Sequence, residues 1–191
     1  MKNRASKGVT LVEVMVAIGV LGILVSVAAP SFGDMMNRRR VRAVAAEIAT
    51  DLAYARSEAA LRPQGVFLNF RSSTNTSCYT IQGFAGSIKC NCTRGPGLAC
   101  PASFFGPSPE LKTMQVSSST GVTFTSASSI WAPAGGDRIV GFTAPQMLSS
   151  LPDFAVNVVG GGVSLRVQMT LLGSITTCSP NGTFGGGVPT C

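Results

Sequence analysis

Histidine is absent from the 191 residues, and acids are scarce: eight Asp and Glu against fifteen Lys and Arg. The first absence removes the commonest general base and the commonest metal ligand. No Ser/His or Cys/His pair can be assembled, and the few acids make no convincing catalytic carboxylate pair. The sequence therefore reads as non-enzymatic, with no cofactor and no metal. Zinc is also poorly served, because the cysteines contain no Cys-x-x-Cys pair. Charged residues are only 12% of the chain, and they avoid one region. Val9 to Phe32 holds a single ionisable residue, Glu13. The net charge of +7 is partly due to Lys2, Arg4 and Lys7, which precede that region. Without them the excess is modest and does not demand nucleic acid. The length suits one globular domain plus an extended element.

The apolar run is the chief positive feature. At ~1.5 Å per helical residue, about twenty residues cross a ~30 Å hydrocarbon core. The basic residues before it would stay cytoplasmic, which places the remainder outside. Three readings compete. A secretory signal would need small residues at a cleavage site after the run; Val27-Ala28-Ala29 offers a partial one. A plain membrane anchor also fits. Neither explains Glu13, a carboxylate that is costly in lipid without a partner. Pro30 removes a helical hydrogen-bond donor and predicts a kink, at or near the membrane exit.

Lys7-Gly8 followed by Val9-Thr10-Leu11-Val12-Glu13 resembles the cleavage motif of type IV prepilins and type II secretion pseudopilins. The resemblance implies a cut by prepilin peptidase between Gly8 and Val9, and methylation of the new amine of Val9. Val replaces the usual Phe at the first mature position. It places Glu13 at the acidic fifth mature position, where the amine of a neighbouring subunit's Val9 would partner it. An unpaired buried charge costs several kcal/mol, so this pairing would fix subunit register. It also makes Pro30 a place where the helix bends or melts during assembly.

Beyond residue 33 the helical pattern continues with a polar face. Val41, Val44, Ile48, Leu52, Ala55 and Ala59 form one stripe. Asp34–Arg38 and Glu58–Arg62 are favourable i, i+4 pairs. Pro63 ends the helix, so one kinked helix is predicted from about Val9 to Arg62. Arg38, Arg39, Arg40 and Arg42 read as a solvated, headgroup-facing turn rather than a phosphate-binding site. Ala49 to Ala60 resembles the helix of the GspH/FimT subgroup of minor pseudopilins and minor pilins.

The rest is β-rich. Val66–Phe70, Cys78–Ile81, Thr113–Val116, Gly121–Thr125 and Arg138–Phe142 are candidate strands, and Val163–Thr170 alternates strictly. They predict an antiparallel sheet, or two small ones, with one face on the helix and the other in solvent. Cys78, Cys90, Cys92, Cys100, Cys178 and Cys191 all follow the apolar run, which predicts disulfides in an oxidising compartment. The first four allow three connectivities; the one with a Cys90–Cys92 link is strained. A Cys178–Cys191 bridge would hold a Gly-rich segment that cannot form a core, and would add about 3 kcal/mol.

The expected organisation is a leader (1–8), a transmembrane or filament-core helix (9–32), an amphipathic helix (33–63) and a periplasmic head (64–191). The fold class is α+β, of the type IV pilin-like kind. The expected partners are other pilin or pseudopilin subunits, prepilin peptidase and the bacterial inner membrane. The resemblance implies a minor pilin or pseudopilin that supports filament assembly and protein secretion. In DNA-uptake members of the FimT group, a glycine and two arginines precede the cysteine loop. Here Gly173 is followed by Ser174, Ile175, Thr176 and Thr177. Without those cations the phosphate-binding term is lost, which argues against a DNA-binding pilin. A membrane-tethered enzyme is the remaining rival.

Overall fold

The computed structural model describes residues 8, 10–83, 90–101, 109–127, 138–143, 148–149, 153–182 and 184–191. The side chains at 28–31, 138, 148 and 149 lie outside the described set. The chain divides into two compact units, Met1–Met36 and Asn37–Cys191. One helix, α1 (Leu11–Leu61), belongs to both.

In the second unit, α1 buries Val41, Ala45, Ile48, Leu52, Ala55 and Ala59 completely. These positions recur at the helical period and are small or aliphatic, so the sheets approach the helix closely. The helix stops at Leu61, two residues before Pro63, and its Glu58–Arg62 pair closes at 3.4 Å. The Arg38 guanidinium donates to the carbonyl of Phe184.

Among the described residues nine strands follow, in two antiparallel sheets. β1 (Val66–Ser72), β2 (Thr76–Gly83), β3 (Glu110–Ser117), β5 (Arg138–Thr143) and β6 (Leu148–Ser149) form one, in the order β3-β2-β1-β5-β6. β4 (Val122–Ser126), β7 (Asp153–Gly160), β8 (Val163–Thr170) and β9 (Ile175–Cys178) form the other, in the order β4-β7-β8-β9. β7 and β8 pair over their full length; β8 alternates as expected, and β7, which is not among the candidate strands, alternates too: Phe154, Val156 and Val158 face inward beside Val163, Leu165, Val167 and Met169. The sheets meet at an aromatic cluster. Phe70 lies 5.1 Å from Tyr79 and 5.5 Å from Phe154, and Tyr79 lies 5.8 Å from Phe124, between ring centroids. Tilted contacts of this kind add to the area term.

One expectation about the sheets is corrected. The outer face of the five-stranded sheet does not meet solvent throughout, because the loop 90–101 covers it. Cys78 and Thr80 of β2 point outward yet are fully buried, as are Ala99 and most of Cys90, Cys92 and Cys100. The bridges are Cys78–Cys92, Cys90–Cys100 and Cys178–Cys191. Neighbouring Cys90 and Cys92 are thus each tied elsewhere, and all six cysteines are paired.

Gly160 is a point of close approach between sheet and helix. A Cβ there would sit 2.7 Å from the Gly121 carbonyl oxygen and 3.0 Å from side-chain atoms of both Val122 and Val41. Gly161 and Gly162 follow, both with positive φ, as a two-residue hairpin turn requires. Replacing Gly160 with valine is expected to cost about 1–3 kcal/mol through overpacking, measured as a lowered denaturant midpoint. An unchanged midpoint would show that the helix yields there at no cost.

Candidate functional site

The N-terminal segment begins, among the described residues, at exposed Gly8. Val9 lies outside them. Thr10 caps the helix: its hydroxyl accepts from the amide of Glu13 at 3.3 Å, and its carbonyl accepts from Val14 at 3.2 Å. The helix therefore starts at Leu11, two residues later than periodicity suggests. Thr10 and Glu13 hold the positions of a capping box, and the acid lies in the first turn, where the helix dipole favours it.

From Leu11 to Val27 every side chain is exposed. The span is long and apolar enough to cross a membrane, and Glu13 is its one charge. Glu13 is itself exposed in the single chain, so any apolar surroundings must come from lipid or other molecules. The helical assignment runs unbroken through Pro30, whose side chain lies outside the described residues.

The head is fastened to α1 by charged contacts. Asp51, buried beside the apolar stripe, accepts from the Tyr79 hydroxyl at 2.6 Å and from Lys112 Nζ at 2.8 Å. Lys112 also reaches Glu47 at 3.3 Å. Burial, then the hydrogen bond and charge of Asp51, push the Tyr79 phenol far above its ordinary range. Burial alone would lower the Lys112 ammonium. The bond to Asp51 and its charge, helped by Glu47, outweigh that and raise it.

All four clustered arginines are exposed, and three of them also reach the head. Arg40 donates to the Thr120 carbonyl at 3.2 Å. Arg42 donates to Gly186 at 3.4 Å and lies 5.3 Å from the ring centroid of Phe184. Arg42, with Arg38 on Phe184, holds the loop closed by Cys178–Cys191, whereas Arg40 holds the turn before β4. Phe184, the one large apolar residue of that loop, is buried in the core. Its isolation in a Gly-rich run is the sequence signal that could have revealed this.

At the β8–β9 turn the Arg56 guanidinium lies against Gly173 and donates to its carbonyl at 3.2 Å, so a cation does reach this turn, but from the helix. Arg166 is held by Asn157 at 2.7 Å.

Glu110 anchors the double-disulfide loop. Its carboxylate accepts from Gly97 N at 2.7 Å, Ala99 N at 3.0 Å, Cys100 N at 3.4 Å and the Thr113 hydroxyl at 2.6 Å. Burial pushes its acidity one way, but the Thr113 hydroxyl and the Gly97, Cys100 and Ala99 amides prevail and hold it below the usual range. A lowered folded-state value contributes stability above the unfolded value of about 4.3, and that stability is lost as pH falls through the lowered one. The protection of the Gly97, Ala99 and Cys100 amides, relative to their intrinsic exchange rates, should therefore fall selectively under acid. Equal protection at neutral and acid pH would remove Glu110 as the anchor. No sequence pattern marks this residue, because its three backbone partners lie ten or more positions away.

Among the described residues no three Asp, Glu, Cys or His side chains gather as a metal site. The cavities are open grooves on the head surface, the largest of those described holding about 620 Å³.

Comparison with known proteins accords with this architecture. Residues 3–29 match the model of the prokaryotic N-terminal methylation motif. Residues 44–173, about two thirds of the chain, match the model of the type II transport protein GspH. The type IV narrow pilus major component PilA5 of Thermus thermophilus is 35% identical over 92 residues, which covers 45% of this chain and 79% of the relative. No solved structure matches.

Proposed function

We propose, from the premise that the chain belongs to the GspH family of pilin-like proteins, that it is a minor, non-enzymatic subunit of a type II secretion pseudopilus or a type IV pilus. The observation that carries this reading is the uncovered apolar span Leu11–Val27 with one acid near its start. Such a surface needs lipid before assembly and other helices after it. In this reading prepilin peptidase removes residues 1–8 and Val9 becomes the methylated N-terminus. The protein waits in the inner membrane with its head in the periplasm, where three disulfides are stable. On entering the filament, Glu13 pairs with the Val9 amine of a neighbouring subunit, and Pro30 gives the helix room to bend.

Intact-mass analysis of the protein from cells with an active leader peptidase tests the first step. The mature chain should begin at Val9 and carry one added methyl group. A chain that retains Met1 to Gly8, or that begins near Ala29, overturns the reading. Deletion then separates the two assemblies: loss of secretion marks a pseudopilus, and loss of surface filaments marks a pilus.

A further inference from the structure

β3 is the outer strand of its sheet, bonded to β2 on one side. Exposed edges are ordinarily blunted by proline, outward lysine, a bulge or a covering element. Lys112 to Ser117 contains no proline, and the register irregularity of β3 falls at its start, opposite Ile81 and Gln82. Its one lysine turns onto Glu47 and Asp51 of α1 instead of guarding the edge.

A groove of about 620 Å³ runs beside this edge. Thr113 to Ser117, five consecutive residues, line it. Successive side chains of a strand point to opposite faces, so only the main-chain edge can offer five in a row to one groove. The opposite wall is α1, through Arg40, Ala43, Val44 and Glu47. Strand and helix run in opposite directions there: Lys112 meets Glu47 at one end, and Arg40 meets Thr120 at the other.

We propose that this groove receives an extended segment of a second, different protein, which adds to β3 as a sixth strand. Main-chain bonds to β3 would supply affinity, and alternate side chains would supply specificity. The segment carries aliphatic side chains toward Val44 and an acidic one at the Arg40 end. Charge selects the acid. Lys112 is matched by Asp51 and Glu47, and Glu47 by Lys112, whereas Arg40 faces no acid among the described residues. A second copy of this chain is disfavoured by charge: its own β3, paired antiparallel, would bring Lys112 rather than an acid toward the Arg40 end.

Amide exchange of the full-length protein tests the proposal, comparing native cell envelopes with the isolated chain in detergent. Alternate amides of residues 112–117 should exchange at least tenfold more slowly in the envelope. Ala43→Trp fills the groove from an exposed helix position without touching the strand ladder. It should abolish the slowing while the unfolding midpoint stays unchanged. Equal exchange in both settings, or slowing that survives Ala43→Trp, overturns the proposal. So does the same slowing in the concentrated isolated chain, because the added strand would then come from a second copy. Co-sedimentation with filaments is scored separately. Slowing without co-sedimentation sinks the filament reading and leaves this one standing; co-sedimentation without slowing does the reverse.

Discussion

Glu13→Gln is expected to remove the protein from assembled filaments while its head unfolds at the same midpoint as the parent chain. Two roles for Glu13 are physically available, and this substitution separates them. As the fourth residue of a capping box, Glu and Gln are interchangeable, and Thr10 accepts the amide of residue 13 regardless of its side chain. As the partner of a buried amine, only the charged side chain serves. Breaking a buried pair by removing one member costs about 3–5 kcal/mol, and each 1.4 kcal/mol is about tenfold in an equilibrium constant. Incorporation should therefore fall by roughly two to three orders of magnitude, and as far again for Glu13→Ala. Filament fractions immunoblotted for each variant give the answer. Parental incorporation of Glu13→Gln would reduce the acid to a helix cap.

The second large effect is expected at Asp51. Asp51→Ala leaves the fully buried Tyr79 hydroxyl without its acceptor and Lys112 with Glu47 alone. An orphaned buried polar group costs about 1–3 kcal/mol, and loss of the carboxylate from the Lys112 pair adds to it. A total near 3 kcal/mol is expected from denaturant unfolding of the full-length protein in detergent. Tyr79→Phe removes the hydroxyl but leaves Asp51 on Lys112, so it should cost only about 1 kcal/mol. The double variant should cost less than the sum, because the orphan disappears with the phenol. Strict additivity would mean that the three side chains are not coupled. The same cluster predicts alkaline sensitivity. The raised Lys112 and Tyr79 values both mean that the folded state holds protons the unfolded chain releases first. Their contribution is complete below about pH 10 and declines above it.

The parts of the fold that repeat locally could be read from the chain. The stripe from Val41 to Ala59 and the alternation of Val163–Thr170 are periodic signals, and both elements stand where they were expected. Six of the nine strands were legible in this way. β7 was missed although it pairs with β8 along its whole length. Its run Phe154-Ala-Val-Asn-Val-Val lies between Gly- and Pro-bearing segments and reads as easily as connecting chain. The short β9 is set by the register of β8 rather than by its own Ile-Thr-Thr-Cys. The N-terminal motif is entirely local, and so was fully visible. The carboxylates that fasten the head were not, because each gains its partners only after folding: Asp51 from residues 28 and 61 positions away, and Glu110 from backbone amides. The head contacts of the arginines were hidden for the same reason: the carbonyls that three of them meet lie 80 to 146 residues downstream.

Those carbonyl contacts also bear on how the molecule carries load. Arg38, Arg40, Asp51 and Arg56 bind the head at successive levels along one helix. Tension applied along the helix axis must strain these ties together, in shear, instead of peeling them one after another. A head pulled along the axis of its own stretch of α1, residues 37–61, should therefore yield at a single high force, whereas one pulled sideways from its C-terminal loop should open in small steps.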